Sequence, residues 1–261
     1  MDRVIILGSG AAPGVPVVAK GWGKCNPDNP KNTRRRAGLL VEIGNTKIQI
    51  DTSQDFRCQM IDNSITDLDA VLYTHAHADH ISGIDDLRPI TQLRGKGLNV
   101  YAAQEHLIEI KKRFGYVFTD VRPKEITQRP QLIENTIEYY KPFDINNVDV
   151  MPLAFTGHSV PTCGYVFDNG KLAVIPDYRE MPSQTLEYLQ KINVNVMIMP
   201  LTRIREQEYH AGIETDKKYI DIIKPRKVIF THMSRYCDYD EVTNISPQGA
   251  YPAYDNMTVE L

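Results

Sequence analysis

The sequence has few of the features that mark membrane-spanning, secreted or disulfide-rich proteins. No uninterrupted apolar run is longer than four residues, so no segment is predicted to span a bilayer. The first residues include an acid and too short an apolar stretch for a signal peptide, so the protein is expected to be cytoplasmic. The chain has only four cysteines and no C-x-x-C pair, which predicts free thiols in a reducing compartment.

An excess of positive charge is also absent. A formal net charge of −3 argues against a protein that coats nucleic acid, and no stable nucleic-acid partner is expected. The one basic cluster, Arg34-Arg35-Arg36, is typical of a solvated loop, with contact to a phosphate as the alternative. Apolar residues make up 42% and charged residues 24% of the chain, which predicts one globular domain over residues 1–261.

Short β-type runs recur along the chain, with helical spacing between some of them. Strands are predicted at Val4–Gly8, Leu39–Ile43, Lys47–Asp51, Ala70–Tyr73, Asn99–Ala102, Thr136–Tyr140, Asp149–Phe155, Gly164–Phe167, Leu172–Ile175, Val194–Met199, Lys227–Phe230 and Met257–Leu261. Helices are predicted at Glu105–Phe114 and Asp216–Ile223, and a third is expected to have Ser183 as its N-cap. This alternation predicts an α/β fold in which helices pack outside sheets.

The most informative residues follow the predicted strand Ala70–Tyr73. They read Thr74-His75-Ala76-His77-Ala78-Asp79-His80, so three of the seven histidines and one carboxylate fall within six residues. Imidazole and carboxylate are ligands of zinc and of borderline metals such as manganese or iron. Two histidines two residues apart in an extended loop can point at one ion, and the following Asp-His pair can turn towards a second. The alternative interpretation is an accidental, solvated histidine tract.

The pattern H-x-H-x-D-H after a strand resembles the signature of the metallo-β-lactamase superfamily, and the resemblance extends over nearly the whole chain. It implies a four-layer αββα fold and three further ligands, His158, Asp177 and His232, beyond the ends of predicted strands. Two divalent ions are implied, zinc or manganese with iron as a third candidate. The implied ligands are His75, His77 and His158 for one ion and Asp79, His80 and His232 for the other, with Asp177 bridging. Without the resemblance, His158 and His232 would be interpreted as core histidines and Asp177 as a turn residue.

Within the superfamily the chain is most similar to PhnP-type phosphodiesterases. The motifs that carry this similarity include Gly8-Ser9-Gly10, Trp22-Gly23-Lys24-Cys25-Asn26-Pro27, Gly164-Tyr165 and Thr231-His232-Met233-Ser234. Some of these proteins hold a structural zinc, but only Cys25 remains in the early loop here, and Arg235 stands where a further histidine would be. No structural zinc is therefore predicted. If that geometry is retained, Cys237 is expected to lie near Cys25.

The resemblance implies hydrolysis of a small phosphodiester, a cyclic phosphate or a nucleotide derivative, by a hydroxide that bridges the two metals. Asp79 is a catalytic candidate as well as a ligand. His210 is implied as the general acid that protonates the leaving group, with a plain surface histidine as the alternative. The remaining histidine, His106, is expected to be solvated.

Contacts to the substrate and to the ligands are less specific in the sequence. The candidates for binding substrate phosphate are the Ser9-Gly10 turn, Ser159, Arg34 and Arg36. Asp51 ends a predicted strand, where it either orients a ligand histidine or caps the next segment.

Three other functions remain open. A ribonuclease of the tRNase Z type shares the metal motif but needs a basic arm, and no flexible basic insertion is present. A thioesterase of the glyoxalase II type would add a C-terminal helical domain, whereas this chain ends soon after His232. The third alternative is a catalytically silent metal-binding fold. The expected partner is a small phosphodiester or nucleotide-like substrate rather than a membrane, and a homodimer is considered.

Overall fold

The computed structural model describes residues 1–119 and 128–261. Its first half and its last strand form a seven-stranded sheet in the order β14-β1-β2-β3-β4-β5-β6. These strands are β1 (Arg3–Gly8), β2 (Gly38–Ile43), β3 (Thr46–Ile50), β4 (Ala70–Leu72), β5 (Leu98–Ala103), β6 (Leu132–Ile137) and β14 (Met257–Glu260). The Gly44-Asn45 turn joins β2 and β3 as an antiparallel pair, and Gly44 adopts the positive φ of +57° that this turn requires.

The second half forms another seven-stranded sheet in the order β13-β12-β11-β10-β9-β8-β7. Its strands are β7 (Phe143–Ile145), β8 (Val148–Phe155), β9 (Thr162–Phe167), β10 (Leu172–Val174), β11 (Val196–Pro200), β12 (Lys227–Thr231) and β13 (Ala250–Pro252). Strands β10 to β13 run parallel to one another. Their carboxyl ends therefore lie at one edge of the sheet, where side chains from separate strands can meet.

Seven α-helices lie among the described residues. They are α1 (Phe56–Asp62), α2 (Ala78–Ile81), α3 (Arg88–Arg94), α4 (Gln104–Phe114), α5 (Ser183–Lys191), α6 (Ile213–Ile223) and α7 (Tyr239–Ile245). Helices α1, α3 and α4 contribute apolar side chains to a core on one face of the first sheet. The other face belongs to a core shared with the second sheet and with α5 and α6.

Strand β1 shows how alternation in the sequence separates the two cores. Val4 and Ile6 lie in the core between the sheets, whereas Ile5 and Leu7 lie in the core under the first group of helices. Successive side chains of a strand point to opposite faces, so an all-apolar strand is expected where both faces are covered. The predicted αββα arrangement is confirmed.

Some predicted boundaries are wrong. Strand β6 begins at Leu132, four residues before the predicted Thr136. Pairing with β5 determines where it begins, and its polar, partly exposed middle residues gave no apolar pattern in the sequence. Ser183 is not an N-cap: Pro182 holds that position, and Ser183 is the first helical residue. Helix α6 begins at Ile213 rather than Asp216, since Gly212 forms its extended N-cap. Two three-residue strands of the second sheet, β7 and β13, were not predicted.

The described helices include none with the length and apolar composition needed to cross a membrane.

Candidate metal centre

The histidine-rich segment leaves the carboxyl end of β4 as extended backbone and then turns into the short helix α2. His77 is the extended N-cap residue of this helix, with φ −70° and ψ 152°. His75 therefore lies two residues away on the same side of an extended segment. Asp79 and His80 lie in the first turn of α2. This change from strand to helix is what turns the second pair of side chains away from the first.

The other three candidate ligands follow strands of the second sheet. His158 lies three residues after β8, Asp177 three residues after β10, and His232 immediately after β12. His232 has a left-handed backbone with φ +53°, a conformation that is costly for a histidine and typical of constrained functional sites. Segments far apart in sequence are thus brought to the same edge of the fold.

The seven side chains form three overlapping groups whose ligand atoms lie within 4.8 Å of one another. The groups are His75, His77 and His158; His75, His80 and Asp177; and Asp79, His80 and His232. The first and third correspond to the two ligand sets expected from the sequence, and Asp177 lies between them. Its carboxylate is 3.6 Å from His80 Nε2 and 3.3 Å from His232 Nε2.

Hydrogen bonds on the outer side of the rings fix which nitrogen faces inward. His80 Nδ1 lies 2.6 Å from a carboxylate oxygen of Asp51, and His158 Nδ1 lies 3.0 Å from the carbonyl oxygen of Tyr209. Neither oxygen can donate, so each Nδ1 must carry the proton. Nε2 of both rings is then directed into the centre, which is how outer partners orient metal-binding histidines.

Two threonine hydroxyls perform the same task for two more rings. Thr74 Oγ1 donates to Asp51 and lies 3.0 Å from His75 Nδ1, so it accepts from that ring. Thr202 Oγ1 lies 3.1 Å from His232 Nδ1. In both cases Nε2 remains available on the inner side of the ring.

This arrangement fits a divalent cation. The inner nitrogens of His75 and His158 lie 3.0 and 3.1 Å from Nδ1 of His77, which has at most one proton to share between them. Nε2 of His80 is buried without a hydrogen-bond partner and faces carboxylate oxygens of Asp79 and Asp177 at 3.3 and 3.6 Å. Burial opposes a positive charge on this ring, but Asp51 and Asp79 raise the pKa of His80, so positive charge beside these carboxylates is favoured, and a metal ion can take the place of a proton there. Nitrogen and oxygen donors of this kind suit zinc and other borderline metals.

The charges of the second group are strongly coupled. Burial disfavours an ionised Asp79, but the neighbouring His80 and His232 hold the pKa of this carboxyl well below its usual range. The pKa of Asp177 is also lowered, because His232 and His80 outweigh the effect of burial. Both carboxylates are therefore ionised and able to accept a cation at neutral pH.

Asp51 orients a ligand and does not cap a helix. Besides His80, its carboxylate accepts hydrogen bonds from the backbone N–H and the hydroxyl of Thr74, both at 2.8 Å. Helix α1 begins only at Phe56, with Asp55 as its N-cap residue. The backbone of Asp51 is left-handed, with φ +57°. These contacts favour the first of the two interpretations from the sequence, and the role of Asp51 towards a metal ligand stays a prediction.

The prediction that Arg34 binds substrate phosphate is wrong for this structure, whereas the same prediction for Arg36 stays a prediction. The side chain of Arg34 is buried, and its guanidinium donates to the carbonyl oxygen of Cys237 at 2.8 Å. Arg36 forms an ion pair with Asp55 at 3.1 Å and donates to the carbonyl oxygen of Ala12. Arg34 therefore holds the loop that contains Cys237, and Arg36 links Asp55 to the loop at Ala12.

The two serines predicted to contact substrate have different environments. Ser9 is buried, and both its N–H and its hydroxyl donate to Asp255 at 2.8 Å, while the N–H of Gly10 donates to a backbone carbonyl. The Ser9-Gly10 turn therefore has no free donor for an anion, and that prediction is also wrong. Ser159 is exposed beside the centre, with Oγ 3.2 Å from His77 Nε2.

His210 reaches the centre. Its ring lies 4.8 Å from that of His158, measured between centroids, and its Nδ1 is 3.2 Å from Thr202 Oγ1. Burial, with His232 and His158 nearby, lowers the pKa of His210 to about 4 despite the opposing charge of Asp177. The loop after β11 therefore places a neutral imidazole next to the candidate ligands.

The expectation that His106 is solvated is wrong. Only 3% of its surface is exposed, and burial lowers its pKa. His106 precedes Leu107 in the first full turn of α4, and both residues face the core. The apolar spacing used for the prediction assigned the core face to Leu107, Ile110 and Phe114 alone.

The early cysteine packs against the loop that follows the last candidate ligand. Cys25 and Cys237 are buried free thiols, and the sulfur of Cys25 lies 3.5 Å from the carbonyl oxygen of Cys237. This is the proximity expected from the sequence. Burial raises the pKa of both thiols, which makes them poor nucleophiles.

Several residues that shape the centre were missed. Thr202 contacts two histidines, and Arg113 of α4 donates to the carbonyl oxygen of Ala76 at 2.8 Å, which supports the histidine loop. Asp255 holds the Ser9 turn from the other end of the chain. The one signal in the sequence for Thr202 was its position just after the end of β11, beside the ends of the strands that carry candidate ligands.

Comparison with known proteins places this geometry in context. A family model described as "Beta-lactamase superfamily domain" matches residues 46–233. The crystal structure of a diphosphatase from the PhnP family superposes with a TM-score of 0.89 at 25% identity, covering 100% of this chain and 98% of that one.

Two relatives in sequence have names that indicate two different activities. An octanoyltransferase of Porphyromonas gingivalis is 32% identical over 261 residues, which cover 98% of this chain and 51% of that protein. A ribonuclease Z of Methanopyrus kandleri is 29% identical over 171 residues, which cover 61% of this chain and 55% of that protein. The chain thus spans about half the length of these relatives.

Proposed function

This chain belongs to the β-lactamase superfamily, and on that premise we propose that it is a metal-dependent hydrolase that cleaves small phosphodiesters. The observation that carries the proposal is the convergence of seven histidine and aspartate side chains, with the rings of His80 and His158 held at Nδ1 so that Nε2 faces the other members. The similarity to a PhnP-family diphosphatase supports chemistry at phosphorus.

The residues would hold two divalent ions, zinc or manganese, as two sets of three side chains with Asp177 shared. When bound, such ions would supply the Lewis acidity that activates water and offsets the charge of a phosphoryl group. Asp51, Thr74 and Thr202 keep the inner nitrogens of their histidines aimed at this space. Because these rings are already fixed before ligands bind, little reorganisation is needed.

We assign the protonation of the leaving oxygen to His210. With Nδ1 held by Thr202, Nε2 is the nitrogen that remains for a leaving group. A general acid must carry the proton it gives, whereas the pKa of His210 is about 4 in the protein alone. A bound phosphodiester anion favours the charged imidazole and so raises this pKa. Substrate binding would therefore prepare the acid.

The second candidate is a ribonuclease of the tRNase Z type, favoured by the similarity to a ribonuclease Z. Both functions use the same side chains on a phosphodiester and differ in the size of the substrate. Acyl transfer is not proposed, because the convergent histidine and aspartate side chains fit a metal-dependent hydrolase.

The test is a substrate panel on protein whose metal content has been measured. Bis(p-nitrophenyl) phosphate, 2′,3′-cyclic nucleotides, a tRNA precursor and a glutathione thioester represent the competing functions. Metal-dependent hydrolysis of the first two, faster than that of the others, is expected. A metal-loaded protein inert towards every phosphodiester contradicts the proposal and favours a silent fold or, if the thioester is cleaved, a thioesterase.

A further inference from the structure

A buried carboxyl group lies in helix α6, outside the candidate metal centre. Asp216 is fully buried, and its Oδ1 accepts a hydrogen bond from the phenol of Tyr178 at 2.6 Å. Its other oxygen, Oδ2, has no hydrogen-bond partner within residues 1–119 and 128–261. The neighbouring Lys217 forms an ion pair with Glu214 at 3.0 Å instead. An unpaired polar atom in the interior destabilises the fold, and such atoms often belong to functional sites.

The surroundings of Asp216 are unfavourable for a negative charge. Burial raises the pKa of this carboxyl to about 7, Glu206 acts in the same direction, and the hydrogen bond from Tyr178 offsets only part of the increase. The phenol ring that makes this bond is also fully buried. It packs against the rings of Phe155 at 5.7 Å and Tyr219 at 6.1 Å, measured between centroids. The hydrogen bond therefore joins two side chains that have little freedom to move.

Tyr178 connects two parts of the candidate active site through its main chain. It directly follows Asp177, the carboxylate shared by both ligand sets, and its carbonyl oxygen accepts a hydrogen bond from the N–H of Ala211 at 2.9 Å. Ala211 directly follows His210. The carbonyl oxygen of Asp177 is held separately, by the hydroxyl of Thr162 at 2.7 Å. The bond between Tyr178 and Ala211 is therefore a direct link from the loop of Asp177 to the loop of His210.

The start of α6 provides a second link between the same two segments. Gly212 is the N-cap residue of this helix, and its carbonyl oxygen accepts from the N–H of Asp216 at 3.0 Å. A Cβ on Gly212 would clash with the backbone of the loop that precedes His210, so the helix start packs directly against that loop. Tyr178 is thus bonded to the segment that carries His210 at two points: its carbonyl binds Ala211, and its phenol binds Asp216.

From these contacts we infer that Asp216 is a positioning residue, which through the phenol of Tyr178 holds the His210 imidazole at the place relative to Asp177 that proton transfer to the leaving oxygen requires. The inference rests on the proposed function, in which His210 is the general acid. Asp216 and Tyr178 are fully buried, so neither side chain contacts the substrate. Their effect comes from geometry, because a small displacement of a catalytic group removes much of its contribution.

The test compares two substrates that differ in their need for an acid. Hydrolysis of a 2′,3′-cyclic nucleotide releases an alkoxide that needs a proton, whereas bis(p-nitrophenyl) phosphate releases a stable phenolate. In Tyr178→Phe and in Asp216→Ala, kcat for the cyclic nucleotide is expected to fall about tenfold, with KM and metal content unchanged. The kcat for the aryl ester should stay within about twofold, since its leaving group needs little help from an acid.

A conservative variant separates positioning from a general loss of structure. Asp216→Asn keeps an oxygen that accepts from the phenol, so both kcat values should return to within about twofold of those of the unaltered protein. Tyr178→Phe removes one oxygen and keeps the ring and its packing, so it tests the pair even if Asp216→Ala does not fold. In the double variant, kcat for the cyclic nucleotide should be no lower than in the more impaired single variant, because residues that act as one unit are not additive.

Tyr139→Phe is the matched control. Tyr139 follows β6, and its hydroxyl donates to Glu105 of α4 at 2.8 Å, so the variant breaks a tyrosine–carboxylate pair outside the loops of Asp177 and His210. It should leave both kcat values unchanged.

Equal losses on the two substrates in Tyr178→Phe, or an unaltered kcat for the cyclic nucleotide, would overturn the inference and leave the phosphodiesterase proposal intact. The same holds if Asp216→Asn is as impaired as Asp216→Ala. Failure of the unaltered, metal-loaded protein to cleave any phosphodiester, including bis(p-nitrophenyl) phosphate, would overturn both.

Discussion

The loop at residues 74–80 and the loop at residues 34–36 both carry several charged or metal-ligating side chains, but their polar atoms have different partners. In the first loop, His80 Nε2 is buried with no hydrogen-bond partner and faces two carboxylates. In the second, Arg34 donates to backbone carbonyls and is itself buried. Ring nitrogens and carboxylates that converge on one space indicate a cation site, whereas donors bonded to the backbone indicate a structural role.

The largest effect is expected where the two ligand sets meet. Replacing Asp177 with alanine removes the carboxylate that lies near both His80 and His232, so metal content and activity should fall together. Activity on bis(p-nitrophenyl) phosphate should decrease on the order of 10³-fold or more, as when a main group stabilising charge is lost. Asp149→Ala, at the exposed position of strand β8, is a matched control. Full activity with normal metal content in Asp177→Ala would contradict the assignment of the loop at residues 74–80 to a metal centre.

A smaller and more selective loss is expected at His210. Its replacement by alanine should slow the hydrolysis of esters with poor leaving groups roughly 10²-fold, because a general acid typically contributes this much or more to the rate. Metal content should not change, since His210 is outside the three candidate ligand groups. The measurement compares alkyl with activated aryl phosphodiesters. Equal losses on both would exclude the acid role.

A third substitution tests the outer hydrogen bonds. In Asp51→Asn, the new side chain tolerates the left-handed backbone at this position. Its amide can, however, place a donor against His80 Nδ1. Metal affinity or activity is expected to fall about 10- to 100-fold, the usual cost of losing such a partner. Titration with zinc and a competing chelator measures the affinity. An unchanged affinity would mean that Asp51 does not orient the ring.

The smallest effect on catalysis is expected in the arginine loop. Arg34→Met leaves the carbonyl oxygen of Cys237 without its donor and should lower the free energy of unfolding by about 1–3 kcal/mol. The kcat/KM of the folded fraction should stay within about twofold, since an arginine that binds no substrate contributes nothing to the transition state. Urea unfolding and a steady-state assay provide the two values. Normal stability with a large loss of activity would mean that Arg34 acts in catalysis or substrate binding and does not stabilise the fold.

The sequence was sufficient for those features that local chemistry determines. The superfamily, the αββα fold and the resemblance to PhnP-type enzymes are confirmed. The seven candidate ligands lie together, although their binding of metal stays a prediction. Functions beyond a metallo-β-lactamase-fold hydrolase, the identity of the metals, the cytoplasmic location and the partners also stay predictions.

The errors have a common physical cause. Ser9 and Arg34 were assigned to substrate because of their residue types, but their donors are taken by Asp255 and Cys237, more than 200 positions away in the chain. His106 was placed outside the core because the pattern does not show which loop covers the start of α4. Partners supplied by tertiary contacts are not visible in residue type or spacing.

Anomalous X-ray diffraction from a crystal grown with zinc or manganese tests the central claim most directly. Two peaks are predicted: one bounded by His75, His77 and His158, the other by Asp79, His80 and His232, with the Asp177 carboxylate between them. A protein that remains metal-free in the presence of both ions, or that binds them at other side chains, would contradict the account.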